Sequence, residues 1–205
     1  MALQSALSSL FVALLAASAV TVPMAFAQNK APLAVDTARV SIAGTSNIHE
    51  YTASTTKVRV TQVKLAASVA GPELWTEIVK PGALEAFEIA VSAATLSSPK
   101  DGLDKNMHKA LKVEQYPDIT FKLARLEGAP GSLRGVGTLR IAGVEREVVL
   151  LLTTELRGNA LTVKGRLPLL MTDYGIKPPT ALLGMLKTDP KVTVSFEAVL
   201  AVPLT

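Results

Sequence analysis

Stretches in which apolar and polar residues alternate recur along the whole chain, and this period of two most constrains its fold. In the clearest of them, every second residue from Val192 to Leu200 is apolar. Such a period places the apolar side chains on one face of a β-strand. By this criterion we predict eight strands, at 33–43, 48–65 with a bend near Ala53, 84–96, 119–127, 133–141, 144–156, 161–171 and 192–200.

One segment has a helical period instead, and it precedes the strand that begins near Ile119. Its apolar residues recur at the spacing of one helix face: Leu103, Met107, Ala110 and Leu111. Asp101 stands where an N-terminal cap is expected. Tyr116-Pro117 ends the helix, because proline has no amide hydrogen and biases its predecessor toward extended conformations. A short helix therefore leads into a strand.

Eight strands joined by short turns can form either a closed barrel or a two-sheet sandwich. Pairing the first strand with the last removes exposed edges and leaves an interior able to hold one small ligand. Gly135 and Gly137 lie inside a predicted strand, where glycine marks a bend or a close approach. Ala142-Gly143 is a candidate two-residue hairpin. These glycines favour an all-β barrel with one inserted helix, and the sandwich stays as the alternative.

The first 27 residues are typical of a secretory signal. No charged side chain precedes Lys30, the segment 10–22 is almost wholly apolar, and Ala25-Phe26-Ala27 is a small-residue cleavage pattern. We predict cleavage after Ala27, a tether at 28–35, a domain at 36–205, and a periplasmic or secreted protein. The leader lacks Lys and Arg, so retention as a membrane anchor is the alternative.

Composition excludes some partners and some forms of stabilisation. The chain has no cysteine, so burial and sheet hydrogen bonds must hold it together without disulfides. It contains 21 Lys+Arg against 17 Asp+Glu, and the charges alternate in sign without forming a run. Nucleic-acid binding would require a clustered basic face with aromatic residues, and only 4% of the residues are aromatic. We expect no nucleic-acid partner.

Residues that could support catalysis are few. His49 and His108 are the only histidines, and they are not at the close spacing of a ligand pair. Neither a Gly-x-Ser-x-Gly elbow nor a phosphate-binding glycine loop occurs. We therefore predict a non-catalytic protein without metal or cofactor. A metal-assisted hydrolase that uses His49, His108 and a nearby carboxylate such as Glu50 or Asp104 is the alternative.

Three motifs in order resemble those of the YceI-like family of exported lipid-binding proteins. They are the segments 105–121, with Tyr116-Pro117, then 137–148, with Ala142-Gly143, and 173–196, which begins with Asp173-Tyr174-Gly175. The similarity spans 36–202. It implies a lipocalin-like, eight-stranded antiparallel β-barrel that holds a long isoprenoid or acyl chain, such as a polyprenyl phosphate or an isoprenoid quinone.

A carrier of this kind would bind its ligand by burial and show no catalytic signature. The inward faces of the strands are then the expected lining: Phe87, Ile89, Ile119, Phe121, Leu123, Leu139, Ile141, Val163, Leu169, Met171, Val192, Val194 and Phe196. The candidate head-group residues at the mouth are His49, Asn106, His108 and Lys109. A fully packed, dry core is the alternative. We expect a long-chain lipid as partner, with transient membrane contact, and a monomer or homodimer.

Overall fold

The chain folds into antiparallel strands with two short helices between them. A computed structural model describes residues 33–66, 73–78, 80, 82–181 and 185–201. The predicted leader and residues 28–32 of the tether lie outside this part. The elements are β1 Ala34–Ser46, β2 Glu50–Thr55, β3 Val58–Leu65, α1 Leu74–Glu77, β4 Leu84–Ser92, α2 Asp101–Leu111, β5 Asp118–Ala129, β6 Ser132–Ile141, β7 Val144–Arg157, β8 Ala160–Leu170, β9 Thr180–Ala181 and β10 Leu186–Ala201, with 3-10 turns at Ala93–Thr95 and Met171–Tyr174.

The strands form one curled sheet in the order β2-β1-β10-β8-β7-β6-β5-β4-β3, and β9 pairs with β10 outside this path. The two ends of the order, β2 and β3, are consecutive in the chain and are separated only by Thr56 and Lys57. The sheet must therefore curl until its ends meet, which makes a barrel. The first and last long strands pair as predicted, and a single curled sheet replaces the alternative of two stacked sheets.

The predicted second strand is bent, but at Thr56 and Lys57 and not near Ala53. Its first half pairs with β1 and its second half with β4, so one strand spans the closure of the barrel. The amide of Lys57 donates to the Thr55 hydroxyl at 3.0 Å, which is the local bond that threonine uses to stabilise a turn. Thr55 Oγ1 is also 2.6 Å from Thr95 Oγ1, which ties the bend to the 3-10 turn.

The hairpin predicted at Ala142-Gly143 is present. Both residues have positive φ, 49° and 83°, as a two-residue type I′ turn requires, and Ile141 pairs directly with Val144. The right-handed twist of such a turn matches that of the strands it joins. The turn therefore fixes the register of β6 and β7.

Helix α2 spans Asp101–Leu111. It ends at Lys112, whose backbone is left-handed, and not at Tyr116-Pro117 as predicted, and the predicted N-terminal cap is wrong as well. The capping residue is Lys100, which has an extended backbone and makes no side-chain capping bond, and Asp101 is already helical. Asp104 instead accepts hydrogen bonds from the amide of Ser98, at 2.9 and 3.2 Å. Its carboxylate ties the first turn of the helix to the preceding segment, near the positive end of the helix dipole.

Two clusters of buried side chains occupy opposite ends of the barrel. Val192 belongs to one cluster, and Leu200 packs against the other. Both residues are on β10, and at the usual rise of a strand they lie about 27 Å apart. We call these the helix end, which contains Leu111 of α2, and the tryptophan end. Trp75 of α1, 4% exposed, packs at the second with Leu33, Leu74 and Ile78.

Candidate functional site: an apolar cavity at the helix end

The helix end encloses a cavity of about 370 Å³. Volumes of about 300 to 1,000 Å³ are usual for small-molecule sites in proteins. Its walls come from strands on every side of the barrel and are apolar: Val40, Ile42, Val91, Ile119, Leu139, Ile141, Leu169, Val192 and Val194. The interior is therefore hollow at this end.

Helix α2 covers the opening of the barrel. The four residues whose spacing predicts the helix, Leu103, Met107, Ala110 and Leu111, all line the cavity. Leu111 is buried, and Met107 and Ala110 pack against the core beside it. The helix is amphipathic: its apolar face lies over the cavity and its polar residues face outward. It therefore acts as a lid.

Polar lining residues come from three segments that surround the mouth. Ser46, His49 and Tyr51 lie at the β1–β2 connection. Lys100 and Asn106 lie at the start of α2 and on its first turns, and Thr180 and Thr188 lie on β9 and β10. The cavity thus changes from an apolar interior to a polar rim between the helix and these two connections.

A hydrogen bond crosses this mouth. Lys100 Nζ lies 3.2 Å from His49 Nε2. A lysine ammonium can only donate, so Lys100 is the donor and His49 Nε2 the acceptor in this contact. Among the described residues that line the cavity, Lys100 is the only charged one, and no carboxylate is present. The mouth therefore offers a positive charge and donors to a ligand.

Two tyrosines, Tyr51 and Tyr174, line the cavity. Burial raises the pKa of the Tyr51 hydroxyl above its ordinary value, and Asp189 raises it further. Burial likewise raises the pKa of Tyr174, with Asp173 adding to the effect and Arg146 opposing it. Both phenols remain protonated at neutral pH, so each can donate a hydrogen bond without placing a negative charge in the cavity.

The three motifs that the sequence separates meet at the helix end. The ring of Tyr116 lies against Gly143, its Cε1 only 2.6 Å from the place of a Cβ on that glycine. A Cβ on Gly175 would lie 3.7 Å from Val144, next to the same hairpin. Tyr174, next to Gly175 in the chain, is buried and lines the cavity. Contact between the motifs therefore shapes one wall of the site.

The predicted lining residues fall into two groups. Seven line the cavity: Ile119, Leu139, Ile141, Leu169, Met171, Val192 and Val194. Six do not line it: Phe87, Ile89, Phe121, Leu123, Val163 and Phe196. Phe87 packs at the tryptophan end, and Phe121 is buried in the core cluster of the helix end. Alternation identified the inward face correctly, but it contains no information on how far along a strand the cavity extends.

The four predicted mouth residues also divide. His49 and Asn106 line the cavity, whereas His108 and Lys109 do not. His108 Nε2 donates to the carbonyl oxygen of Leu96 at 2.8 Å and so holds α2 against the preceding segment. In the described part of the chain, no group of three or more His, Asp or Glu side chains could hold a metal ion.

Several lining residues were not among those predicted. Val40, Ile42 and Val91 follow the same strand alternation, and Leu103 and Met107 follow the helix period, so both groups had a signal. Lys100, Tyr51 and Leu96 had none, because they reach the cavity through irregular connections or a strand end. Their positions depend on contacts between distant segments.

A closed β-barrel with an apolar cavity, a helical lid and a polar mouth defines a class of barrels suited to binding small apolar ligands. The family model of the YceI-like domain matches residues 33–200, and the chain belongs to this family. No curated protein matches the chain. No described helix is long and apolar enough to cross a membrane.

Solved structures show the same fold at low sequence identity. A polyisoprenoid-binding domain from Saccharophagus degradans, implicated in plant cell wall breakdown, is 14% identical with a TM-score of 0.63, and the match covers 85% of this chain and all of that domain. BcnA of Burkholderia cenocepacia is 17% identical with a TM-score of 0.60, over 79% of this chain and 95% of BcnA. A mutant of Campylobacter jejuni YceI is 15% identical with a TM-score of 0.52, over 68% and 79%.

Proposed function

We propose that this protein is an exported, non-catalytic carrier or reservoir that binds a long-chain isoprenoid or acyl lipid in the cavity at the helix end. The observation that carries the proposal is the hollow, apolar interior of about 370 Å³ beneath helix α2. The polyisoprenoid-binding description of the Saccharophagus degradans domain, whose fold this chain shares, supports the same ligand class.

Burial supplies most of the affinity in this proposal. Each methylene that leaves water contributes about 0.8 kcal/mol, so a few isoprene units in the cavity account for micromolar binding or tighter, without directional contacts. The cavity holds the apolar chain, and the mouth holds the polar head. No catalytic group is needed for this task.

The mouth favours a head group that accepts hydrogen bonds. Lys100 supplies the charge, and Asn106 and the tyrosine hydroxyls supply neutral donors. With no carboxylate among the described lining residues to compete for Lys100, a phosphate or a quinone carbonyl oxygen fits this environment. His108 and Lys109 take no part in our proposal, because neither lines the cavity.

Binding can be tested with two variants that place the same residue, tryptophan, on opposite faces of the sheet. Ile119 lines the cavity, and Thr120, its neighbour on β5, points to the other face. In Ile119→Trp the indole fills the cavity, and we expect at least a tenfold loss of affinity for polyprenyl phosphate in a fluorescence titration. Thr120→Trp adds the same ring outside and should bind as the wild type does. A wild-type protein that stays empty after lipid addition, by native mass spectrometry, would refute the proposal.

The head-group assignment has its own test. Lys100→Gln removes the charge at the mouth, and we expect about a tenfold weaker affinity for a polyprenyl phosphate, as for the loss of one charge-assisted hydrogen bond. Binding of a neutral isoprenoid quinone should change less. Lys105→Gln, on the exposed face of α2, is the matched control. Equal losses for both ligands would place the head group elsewhere.

Transfer of a lipid from a bilayer requires contact with that bilayer, and two exposed apolar side chains lie beside the mouth. Ile48 is 61% exposed and Met185 is 71% exposed. Asn47 holds the two loops together: its Nδ2 donates to the Met185 carbonyl oxygen at 2.8 Å, and its Oδ1 accepts from the Lys187 amide at 2.9 Å. We propose transient membrane contact through this rim. Ile48→Ser should slow lipid transfer from vesicles, and an unchanged rate would contradict the contact.

Export by cleavage after Ala27 is the remaining part of the proposal, and it rests on the apolar leader. Sequencing the amino terminus of protein recovered from the periplasm or the medium should find Gln28. An intact leader in the membrane fraction would instead establish the anchored form. Sedimentation of the same sample decides between monomer and homodimer.

A further inference from the structure

The cavity ends partway along the strands that line it. On β10 it is lined by Val194 but not by Phe196, the next residue on the same face. The same boundary recurs on three other strands, between Ile119 and Phe121, between Val91 and Ile89, and between Leu169 and Leu167. These boundaries together form a floor across the middle of the barrel.

Phe196 forms one side of this floor. It pairs directly with Gly165 of the neighbouring strand β8. Its Cε1 lies only 2.8 Å from the place that a Cβ on Gly165 would occupy, so the ring is folded flat over the glycine on the inner face of the sheet. Any other residue at 165 would push the ring away from this wall. The glycine thus lets the aromatic ring pack against this wall, just beyond the last lining residue of β10.

Phe121 forms the opposite side in the same way. Its ring covers Gly137 of the neighbouring strand β6, with Cζ 2.7 Å from the place of a Cβ on that glycine. The two phenylalanines belong to β5 and β10, which are four strands apart in either direction around the barrel when β2 and β3 are counted as one. Each of the two phenylalanine rings therefore packs over a glycine, and the two rings lie on opposite walls of the barrel.

Beyond the floor the barrel interior belongs to the tryptophan end. Phe87, the next inward residue of β4 after Ile89, packs against the cluster of Leu33, Leu74, Trp75 and Ile78. Phe121 is buried and belongs to the other cluster, against which Ile89 and Leu123 also pack. Side chains in the middle of the barrel, and not the plug at its end, determine the depth available to a ligand.

We propose that Phe121 and Phe196 determine the length of apolar chain that the cavity accepts. This inference rests on the proposed lipid-binding function and adds the residues that select among ligands of that class. A phenyl ring has six carbons and an isoprene unit has five, so removing one ring should deepen the cavity by about one isoprene unit. The ligand is then a short isoprenoid or the leading segment of a longer one, inserted as far as the two rings.

The test uses polyprenyl monophosphates that differ by one isoprene unit, bound in competition to the purified protein and read by native mass spectrometry. In wild type we expect affinity to rise with each unit until the chain reaches the floor and then to level off. In Phe196→Ala, and separately in Phe121→Ala, the plateau should move by about one unit, with several-fold tighter binding of the longer chain.

A second variant makes the cavity shallower instead of deeper. It removes no buried atoms, so its result does not depend on whether the fold tolerates a void. Val194 is the last lining residue above Phe196 on β10. Val194→Phe should raise the floor and move the plateau to shorter chains. Phe87→Ala is the matched control, because it removes the same ring on the far side of the floor and should leave the length profile unchanged.

The outcomes separate the two proposals. If wild type binds no polyprenyl phosphate of any length, both the lipid-binding function and the length selection are refuted. If wild type binds but the plateau stays in place in Phe196→Ala, Phe121→Ala and Val194→Phe, only the length selection is refuted. Equal shifts in Phe87→Ala would also overturn it, since loosened packing would then explain the change.

Discussion

The two ends of the barrel use the same strands and the same alternation, yet the described residues form a cluster of buried side chains at one end and enclose a cavity at the other. At the tryptophan end, α1 inserts Leu74 and Trp75, which are 1% and 4% exposed. At the helix end, α2 lies over the opening and presents Met107 and Ala110, which leave the cavity beneath them. The two ends thus differ in the segment inserted between strands, because α1 adds buried side chains to one end and α2 covers a cavity at the other.

This division separates stability from binding. Filling an interior completely gains dispersion contacts and excludes water, and each missing contact lowers the free energy of unfolding. A cavity lacks these contacts, and the space that it leaves can hold a ligand. The tryptophan end can therefore contribute a larger share of stability, while the helix end accepts a loss of packing in return for a site.

Trp75→Ala should have the largest effect on stability. The indole is almost fully buried, so its removal should lower the free energy of unfolding by about 3–5 kcal/mol in urea denaturation. Trp75→Phe is the control, because it keeps a ring and removes the buried Nε1, which has no hydrogen-bond partner among the described residues. Lipid affinity of the folded protein should not change in either variant. A large loss of affinity would show that the two ends are coupled.

A matched pair of leucines compares the two ends directly. Leu74→Ala, at the tryptophan end, should cost about 3 kcal/mol, because it creates a void in close packing. Leu169→Ala, in the cavity wall, should cost about 1–2 kcal/mol, since one side of Leu169 already faces empty space. Chemical denaturation of both variants without ligand measures the difference. Equal costs would mean that the helix end is packed as tightly as the other.

Two turn glycines test the contact between motifs. Gly131, in the β5–β6 turn at the tryptophan end, has φ of 95° and no atom within 4 Å of the place that a Cβ would occupy, so Gly131→Ala should cost about 1 kcal/mol from backbone strain alone. Gly143 has φ of 83° and the Tyr116 ring in that position. Gly143→Ala should therefore cost about 2–3 kcal/mol, by thermal or urea unfolding. A similar cost at both glycines would remove the role assigned to Tyr116.

The smallest effect concerns alkaline pH. Tyr51 and Tyr174 have raised pKa values in the folded protein, because burial disfavours the phenolate. A folded-state pKa above the unfolded one gives stability that is fully present below the unfolded pKa, about 10, and is lost as pH rises through the folded pKa. The free energy of unfolding should fall above pH 10, and less steeply in Tyr51→Phe. Ultraviolet titration that finds every phenol ionising together near pH 10 would contradict the burial of these two.

Much of the fold could be predicted because its signals are local. Alternation identified the strands and their inward faces, the three-to-four spacing identified α2, and the Ala142-Gly143 turn was found from its residue types. The cap at Lys100 and the bend at Thr56 and Lys57 were missed. Asp104 bonds to the amide of Ser98 at the start of the helix, and Thr55 ties the bend to the distant Thr95. Seven of the thirteen predicted lining residues lie in the cavity wall. Phe121 and Phe196 face inward as predicted but lie below the cavity, because alternation does not tell how far along a strand the cavity extends.

By itself, the sequence determined which residues form strands, which face of each strand is apolar, and where one amphipathic helix interrupts them, because a period of two or of 3.6 is a property of neighbouring residues. Only the tertiary structure decided the depth of the cavity, the residues at its mouth and the plug at its far end. Those depend on what projects from the opposite wall of the barrel. Lys100 meets His49 and Phe196 covers Gly165 across long sequence separations, and no local pattern records such contacts.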